Sequence, residues 1–539
     1  MAGADFAIKF SDWSGGDSGI NDTDRPSANT YKGRNVVQYR SGLLGPRPGW
    51  KFRGNTSFTG LLVFFDSLSG ATAGAPGAVF VAASFAGSDN YVYALNSSGA
   101  TIASRTTVGG GQLTGQGVTI NNDLYIISAS AATVPTGLRR YRYTPSGPSV
   151  STPTTITLPE VIRHVAYAGL FLVGVSHASP WRIYHSELSP SGPTYTSWPA
   201  NNFYDVGDTV QPITALHWVG NVLYVGKRNG WWSVTGVLGE QVTIRQVSSD
   251  PGPKAWGYSA VRADGRISYV SPDGYAAMFN GERAQVDRTR QYFEWPTTTL
   301  DEFLRLREGP RVVPLPGTSG ALMVATRDTL PLGALSNVSH QVVDQRGWAG
   351  HSGSQVHVST NVYAPRDLES FVDPTGVAFA LANQGNQLAS WNYLLDRPAR
   401  VSDEWGAPLE YVTPGGASPG LVSGEVLFPA WFDSQGRQVR VKSVIIQFRK
   451  WTSGVADSMN RLDCQIVRAG AYEGGESVSE VQTWTEASAS ATDDGVDDSV
   501  RFGFGDQGFG NGFRIKIPVM QGVAIREIVA LVDIRTAKT

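Results

Sequence analysis

Residues 121–127, NNDLYII, join a polar turn directly to an apolar strand. Asn and Asp tolerate the positive φ that a tight β-hairpin requires, and aromatic and β-branched residues favour extended strands. The same order of turn and strand recurs along the chain, at Gly220-Asn221, Asp264-Gly265 and Ser319-Gly320. The chain therefore repeats a unit that begins with a turn and a short strand.

Seven such strands lie at nearly regular distances between residues 53 and 405. Their first residues are 44 to 57 positions apart, and they are Val79, Leu124, Leu170, Leu223, Ile267, Leu322 and Phe379. The first five are each followed by a second strand with aromatic residues, at 91–93, 141–143, 181–184, 231–234 and 275–279.

A repeat of this length that contains only short strands is typical of a β-propeller. One blade cannot bury both faces of its own sheet, whereas a ring of blades can. We therefore predict a six- or seven-bladed β-propeller over residues 53–405. A β-sandwich with long hairpins is the alternative. The sequence also predicts one helix in this region, over residues 300–306, with Thr299 as its N-cap.

A different pattern begins near Pro408. Residues 438–448, QVRVKSVIIQF, alternate between apolar and polar positions, and further alternating segments follow up to residue 534. This period of two indicates antiparallel strands with one buried face. We predict an antiparallel β-sandwich or jelly roll over residues 406–539, and an N-terminal arm and strand over residues 1–52. The predicted fold class is all-β.

The composition describes a folded chain with few special features. It is 41% hydrophobic and 17% charged over 539 residues, with a formal net charge of −2, which does not favour general nucleic-acid binding. The single cysteine, Cys464, lies in an apolar strand pattern and is predicted to be a core residue. We find no signal peptide or membrane span, so synthesis in a cytoplasm is expected.

Candidate chemistry is sparse in the sequence. The seven histidines lack acidic or cysteine partners at metal-ligand spacing, and His177 and His185 are interpreted as ordinary strand residues. No hydrolase or phosphate-binding motif is present. We therefore predict no catalytic residues, no cofactor and no metal, and hence no enzyme. The 15 tryptophans could stack on sugars, but we favour a role for them in filling the core.

The segment over residues 35–52, NVVQYRSGLLGPRPGWKF, stiffens the N-terminal region. Its prolines fix φ and restrict the residues before them. A stiff segment loses little entropy when it is held against a neighbour. We predict that it forms a subunit contact, and the residues assigned to this contact are Gly42, Arg47, Pro48, Gly49 and Trp50. A solvent-exposed turn between two strands is the alternative.

The pattern of Asn35, Gly42-Leu43-Leu44 and Arg47-Pro48-Gly49 resembles an N-terminal segment of bacteriophage tail hub or nozzle proteins, which precedes a β-propeller in short-tailed phages. The resemblance implies a structural protein of the virion tail, without enzymatic activity. It also implies a ring of identical copies, with a hexamer favoured, that contacts portal, adaptor or other tail proteins. DNA would pass through this ring without sequence-specific contact.

Two other functions stay open. One is a minor tail protein of a long-tailed phage. The other is a β-propeller protein of the virion that binds or cleaves glycans, although the repeated Trp-bearing turns of sialidase-type propellers are missing from the sequence.

Overall fold

A computed structural model describes residues 112–291 and 424–535 with short gaps, and elsewhere the strands given below with a few neighbouring residues. All regular structure in these residues is β-strand. Contacts divide the chain into two compact units. One comprises residues 52–340 and 358–390, and the other comprises residues 1–51, 341–357 and 391–539.

Six strands precede the first complete repeat. They are β1 Asp5–Phe10, β2 Gly16–Asp17, β3 Thr30–Arg34, β4 Val36–Gln38, β5 Leu44–Pro46 and β6 Lys51–Asn55.

Consecutive strands then form one sheet after another. The first sheet contains β7 Leu61–Ser67, β8 Phe80–Ala86, β9 Asp89–Leu95 and β10 Thr101–Val108. The second contains β11 Gln112–Ile120, β12 Asp123–Ser130, β13 Val134–Thr144, β14 Ser149–Val150 and β15 Thr154–Ile156. The third contains β16 Ile162–Ala168, β17 Phe171–Ser176, β18 Arg182–His185 and, after the hairpin of β19 Glu187–Ser189 and β20 Gly192–Thr194, β21 Phe203–Asp205.

The remaining sheets continue the series. The fourth contains β22 Ile213–Val219, β23 Val222–Lys227, β24 Gly230–Gly236 and β25 Val242–Ser248. The fifth contains β26 Ser259–Val261, β27 Ile267–Val270, β28 Tyr275–Phe279 and β29 Ala284–Gln291. The sixth contains β30 Arg311–Pro314, β31 Ala321–Thr326, β32 Ser339–Gln345 and β33 His351–His357. The seventh contains β34 Asp367–Val372, β35 Ala378–Gln384 and β36 Gln387–Trp391.

The seven sheets are the blades of a closed propeller. The first strands of successive blades, β7, β11, β16, β22, β26, β30 and β34, lie beside one another in this order, and β34 also lies beside β7. The seventh blade takes its fourth strand, β6, from the N-terminal side, in the order β34-β35-β36-β6. The predicted propeller is thus confirmed with seven blades, and a β-sandwich in this region is excluded.

The seven strands that reveal the repeat in the sequence are the second strands of their blades, β8, β12, β17, β23, β27, β31 and β35. The predicted repeat is therefore correct in number and spacing, but it begins one strand late. The predicted hairpin turns connect first to second strands, and Asn121, Asn221 and Gly265 have φ of 54°, 67° and 77°. This positive φ explains the residue types of these turns.

The core of the propeller lies between neighbouring blades. Leu124 and Ile126 of β12 pack with residues of the first blade, whereas Tyr125 and Ile127 of the same strand pack with residues of the third blade. Because both faces of each sheet are covered, the second strands are apolar at nearly every position. Trp231 of β24 is fully buried and stacks on Phe279 of the next blade, with ring centroids 4.5 Å apart.

The second unit contains a β-sandwich, and nine of the described strands lie in its C-terminal part. They are β37 Gly424–Leu427, β38 Trp431–Phe432, β39 Gln438–Lys450, β40 Met459–Ala469, β41 Ser477–Val478, β42 Gln482–Ala487, β43 Asp497–Gly503, β44 Gly512–Gln521 and β45 Val523–Arg535. One sheet has the order β4-β5-β45-β39-β43, with β1 also paired to β45. The other has the order β2-β3-β37-β44-β40-β41, with β38 on β44 and β42 on β40.

The N-terminal strands belong to this sandwich and do not form the separate arm predicted for residues 1–52. Strand β1 pairs antiparallel with β45 from Asp5 to Phe10, and Leu44 of β5 pairs with Ile525. Val36 and Leu44 lie in the sandwich core, which also contains the fully buried Cys464. Val36 and Leu44 are thus buried against residues that lie far away in sequence. Cys464 is a core residue, as predicted, and the predicted helix lies outside the described residues.

We expect Leu44→Ala to destabilise the C-terminal sandwich, although residue 44 precedes the whole propeller. Leu44 is 0% exposed, so its truncation leaves a cavity that costs about 2–5 kcal/mol. Hydrogen exchange measured by mass spectrometry should become faster in β39 and β45, while exchange in β22 to β25 stays unchanged.

The control is Val478→Ala, since Val478 is 53% exposed in the same sandwich and its truncation should leave exchange unchanged. Unaltered protection of β39 and β45 in Leu44→Ala would contradict the assignment of the N-terminal strands to this core.

Candidate functional site in the propeller channel

A cavity of about 390 Å³ opens among the first strands of four consecutive blades. Its wall is formed by residues near the C-terminal ends of β11, β16, β22 and β26, together with the segment that enters β26. First strands lie beside one another around the ring, so this cavity belongs to the central channel. The described residues that line it are Gly117, Val118, Val165, Ala166, Tyr167, Ala215, Leu216, His217, Trp218, Trp256, Gly257, Ser259 and Val261.

The turn between β16 and β17 fixes one aromatic wall of the cavity. Gly169 in this turn has φ +65°, and a Cβ at this position would lie 2.9 Å from the ring of Trp218. Only glycine avoids both the backbone strain and this clash. The glycine therefore lets the indole of Trp218 pack directly on the turn of the neighbouring blade.

Trp256 forms a second aromatic wall. Its ring stacks on the imidazole of His164, with centroids 4.4 Å apart and an angle of 1° between the planes. His164 lies in the third blade, whereas Trp256 precedes the first strand of the fifth blade, so the stack spans the blade between them. Burial, with a smaller contribution from Arg163, lowers the pKa of His164 well below its ordinary value. The imidazole is therefore neutral near pH 7.

Tyr167 is the most accessible aromatic ring of the cavity. It is 41% exposed, and it contacts Tyr195 edge to face with centroids 6.3 Å apart. Burial, and secondarily the neighbouring Tyr167, raise the pKa of Tyr195 to about 12. The phenol of Tyr195 therefore keeps its proton near neutral pH. Tyr167 thus offers an aromatic face and a hydroxyl group at the cavity.

One polar pair lies among these rings. His217 Nε2 and Ser259 Oγ are 2.7 Å apart and join the first strands of the fourth and fifth blades. Burial lowers the pKa of His217 to about 4, so this imidazole is also neutral near pH 7. A neutral imidazole has one donor and one acceptor, and a hydroxyl can do both. The pair can therefore donate a hydrogen bond to a ligand hydroxyl group or accept one from it.

The described lining contains no Asp, Glu, Lys or Arg. Glycoside hydrolysis ordinarily needs two carboxyl groups on opposite sides of the scissile bond, and this part of the wall supplies none. Within the described ranges there is also no group of three His, Cys, Asp or Glu residues that could hold a metal ion. The lining is suited to recognition through aromatic faces and neutral hydrogen-bonding groups.

Charged groups elsewhere in the propeller serve its structure. Lys227 is 0% exposed, and its Nζ donates a hydrogen bond to the carbonyl oxygen of Asp208 at 2.6 Å and lies over the ring of Trp232. Arg182 and Asp205 form a bidentate pair on neighbouring strands of the third blade. In the sandwich, Lys450 pairs with Glu486 and Asp498. These groups are satisfied within the fold, so we do not assign them to a ligand site.

Of the residues predicted for a subunit contact, the structure describes only Gly42, and it is not among the described residues that line the cavity. Gly42 is exposed with φ +79° in the connection between β4 and β5, where a Cβ would meet no atom within 4 Å. Its positive φ accounts for glycine at this turn. Arg47, Pro48, Gly49 and Trp50 lie outside the described residues.

The cavity residues are not among the site residues predicted from the sequence, although the sequence contains a signal for them. Tyr167 and Trp218 each stand two residues before a turn glycine, Gly169 and Gly220, at the same place in neighbouring blades. The sequence alone favours a role for the tryptophans in filling the core. Aromatic residues recurring at the ends of first strands indicate a channel wall more specifically than their total number does.

Comparisons with known proteins leave the function open. No family model and no curated protein matches the chain. Among solved structures, a member of the DUF4221 family from Bacteroides vulgatus has 8% identity over 52% of this chain and 91% of that chain, with a TM-score of 0.32. Exo-β-1,3-galactanase from Phanerochaete chrysosporium has 9% identity over 79% and 96%, with a TM-score of 0.26. The N-terminal domain of Nup159 has 12% identity over 64% and 96%, with a TM-score of 0.36. Similarity at this level identifies no activity.

In the part of the chain that the structure describes, no helix is long and apolar enough to cross a membrane.

We expect three partly or fully buried histidines to make the propeller less stable in acid. Burial lowers the pKa of His164, His185 and His217, so the folded chain binds fewer protons than the unfolded chain, whose histidines titrate near about 6.5. The free energy of unfolding should therefore fall as the pH decreases from about 6.5 to 4, and His217 alone should contribute about 1–3 kcal/mol.

Urea unfolding followed by circular dichroism at several pH values between 4 and 7 measures this dependence. His217→Gln should reduce it, whereas His177→Gln should not, because His177 is exposed. Equal pH dependence in His217→Gln and the wild type would contradict the assignment of His217 as a buried neutral group.

Proposed function

We propose that this chain is a non-catalytic β-propeller protein that binds glycans in its channel. The observation that best supports this function is the grouping of Tyr167, Trp218 and Trp256 around one hydrogen-bonded polar pair. A pyranose ring presents C–H groups on its face and hydroxyl groups on its rim. Aromatic rings pack favourably against such an apolar face, and His217 and Ser259 suit the hydroxyl groups.

The same chemistry supports binding without cleavage. The described wall offers no carboxyl group to act as a general acid or as a nucleophile. Its rings are held by the fold, through the turn at Gly169 and through the stack on His164. A rigid wall reduces the entropy that is lost when a ligand binds. We therefore assign recognition to this site and expect no hydrolysis of the bound glycan.

We expect Tyr167→Ala to weaken glycan binding about five- to fiftyfold, because an accessible ring that packs on a sugar face is lost. Methyl glycosides of glucose, galactose, mannose and N-acetylglucosamine serve as probes in isothermal titration calorimetry. Tyr167 is preferred over Trp218 for this test because Trp218 also packs on the turn of the third blade.

The control variant is Phe432→Ala, which removes a ring that is 49% exposed in the sandwich. It should bind as the wild type does. Unchanged affinity in Tyr167→Ala, or binding that Phe432→Ala weakens equally, would contradict a site in the channel.

A second candidate function is structural, as a component of a bacteriophage tail. The observation that favours it is the resemblance of residues 35–49 to the N-terminal segment of tail hub or nozzle proteins. On this proposal the protein belongs to the virion tail and forms a ring of identical copies, with a hexamer favoured. Its neighbours would be portal, adaptor or other tail proteins, and DNA would pass through the ring. A minor tail protein of a long-tailed phage is the variant of this proposal.

The two candidate functions are compatible. A tail protein can hold its place in the virion through one unit and bind a glycan through the other. The binding proposal depends on the channel residues of the propeller, whereas the structural proposal depends on the N-terminal segment. Each therefore has its own test.

For the structural function, we expect Arg47→Ala to reduce incorporation into virions while the isolated chain keeps its melting temperature. A charged contact that loses one partner at an interface costs about 2–5 kcal/mol, and a ring repeats this cost at each copy. An exposed turn would change stability by less than about 0.5 kcal/mol and leave assembly intact. Sedimentation and the protein content of purified virions measure the effect.

Arg283→Ala is the matched control, since residue 283 is exposed in the turn before β29 of the propeller. It should be incorporated normally. Normal incorporation of Arg47→Ala would contradict a subunit contact at this segment.

A further inference from the structure

We infer that the channel cavity selects uncharged saccharides and excludes anionic ones, with His217 and Ser259 contacting the sugar hydroxyl groups. This inference rests on the proposed glycan-binding function and names the ligand class of that site. It follows from the kinds of polar group in the wall and from the pairing of two arginines that follow it in sequence.

The polar atoms of the described wall are neutral. They belong to the imidazole of His217, the hydroxyl groups of Ser259 and Tyr167, and the indole nitrogens of Trp218 and Trp256. The hydrogen bond between His217 and Ser259 uses one acceptor and one donor of the pair. The Nδ1 atom is the second hydrogen-bonding group of the His217 imidazole.

Two arginines that follow the lining residue Val261 in sequence are turned to other partners. Arg262, which follows the last lining residue, is 2% exposed, and its guanidinium contacts Asp264 at 3.1 Å and the sulfur of Met278. Arg266 pairs with the same carboxylate at 3.7 Å. Neither arginine lines the cavity.

A carboxylate on the ligand would therefore lose water without meeting an opposite charge on the described lining. Moving an unpaired ion from water into a site of low dielectric is strongly unfavourable, whereas a hydroxyl group needs only hydrogen-bonding partners. The aromatic faces add no attraction for an anion, because the face of an aromatic ring carries partial negative charge. The wall thus favours neutral sugars over uronates and sialic acids.

The experiment compares matched pairs that differ in one charge. Methyl glucoside is titrated beside methyl glucuronide, methyl galactoside beside methyl galacturonide, and choline is included as a cation that aromatic rings attract. We expect each neutral glycoside to bind at least about tenfold more tightly than its uronide. Ser259→Ala should weaken the neutral glycosides by about two- to tenfold, as for the loss of one neutral hydrogen bond.

The outcomes are distinct. Equal or tighter binding of the uronides would overturn the selectivity while leaving glycan binding in place. Choline binding that exceeds binding of every glycoside would overturn the ligand class. Failure of all the saccharides to bind the intact protein would overturn both the proposed function and this inference. If Ser259→Ala binds the neutral glycosides as tightly as the reference variant Phe432→Ala does, the polar pair does not contact the sugar hydroxyl groups.

Discussion

Each blade of the propeller has two apolar faces, and it can bury them only against two neighbours. Strand β12 illustrates this constraint, since Leu124 packs with residues of the first blade and Tyr125 packs with residues of the third. An open row of blades would leave an apolar face exposed at either end. Closure of the ring removes both exposed faces. The stability of every blade therefore depends on a ring that the chain must complete, and strand β6 provides the last sheet with its fourth strand.

The sequence predicts those parts of the fold that are determined locally. Turn residues such as Asn121 and Asn221 indicate hairpins because they adopt positive φ. The second strands are apolar at nearly every position because both of their faces are buried. The first strands are harder to recognise, because in four of the blades one end of this strand lines the cavity and carries mixed residues such as His217 and Trp218. This explains why the sequence predicts the correct number of repeats but places the start of each repeat at the second strand of its blade.

Pairings between distant segments are not visible in the sequence. Nothing near Phe6 or Leu44 indicates that their strands pair with β45 at the other end of the chain. The channel cavity is not visible in the sequence for the same reason, because its wall combines residues from four blades. The aromatic residues before the turn glycines were visible, but only the ring brings them together. Some acidic and basic residues, by contrast, pair between strands that neighbour each other in one sheet, as in the contact of Arg182 with Asp205.

The pairing of the first strand with the last also constrains the order in which the protein forms during translation. Strands β1, β4 and β5 leave the ribosome early, but β45, with which β1 and β5 pair, is made after all seven blades. The early strands must remain unpaired with β45 throughout synthesis of the propeller, and closing so long a loop costs conformational entropy. The propeller can close as soon as β36 emerges, because β6 is already present. A prematurely terminated chain would therefore carry a finished ring beside an apolar N-terminal segment without its partner, which is a surface that chaperones and proteases recognise.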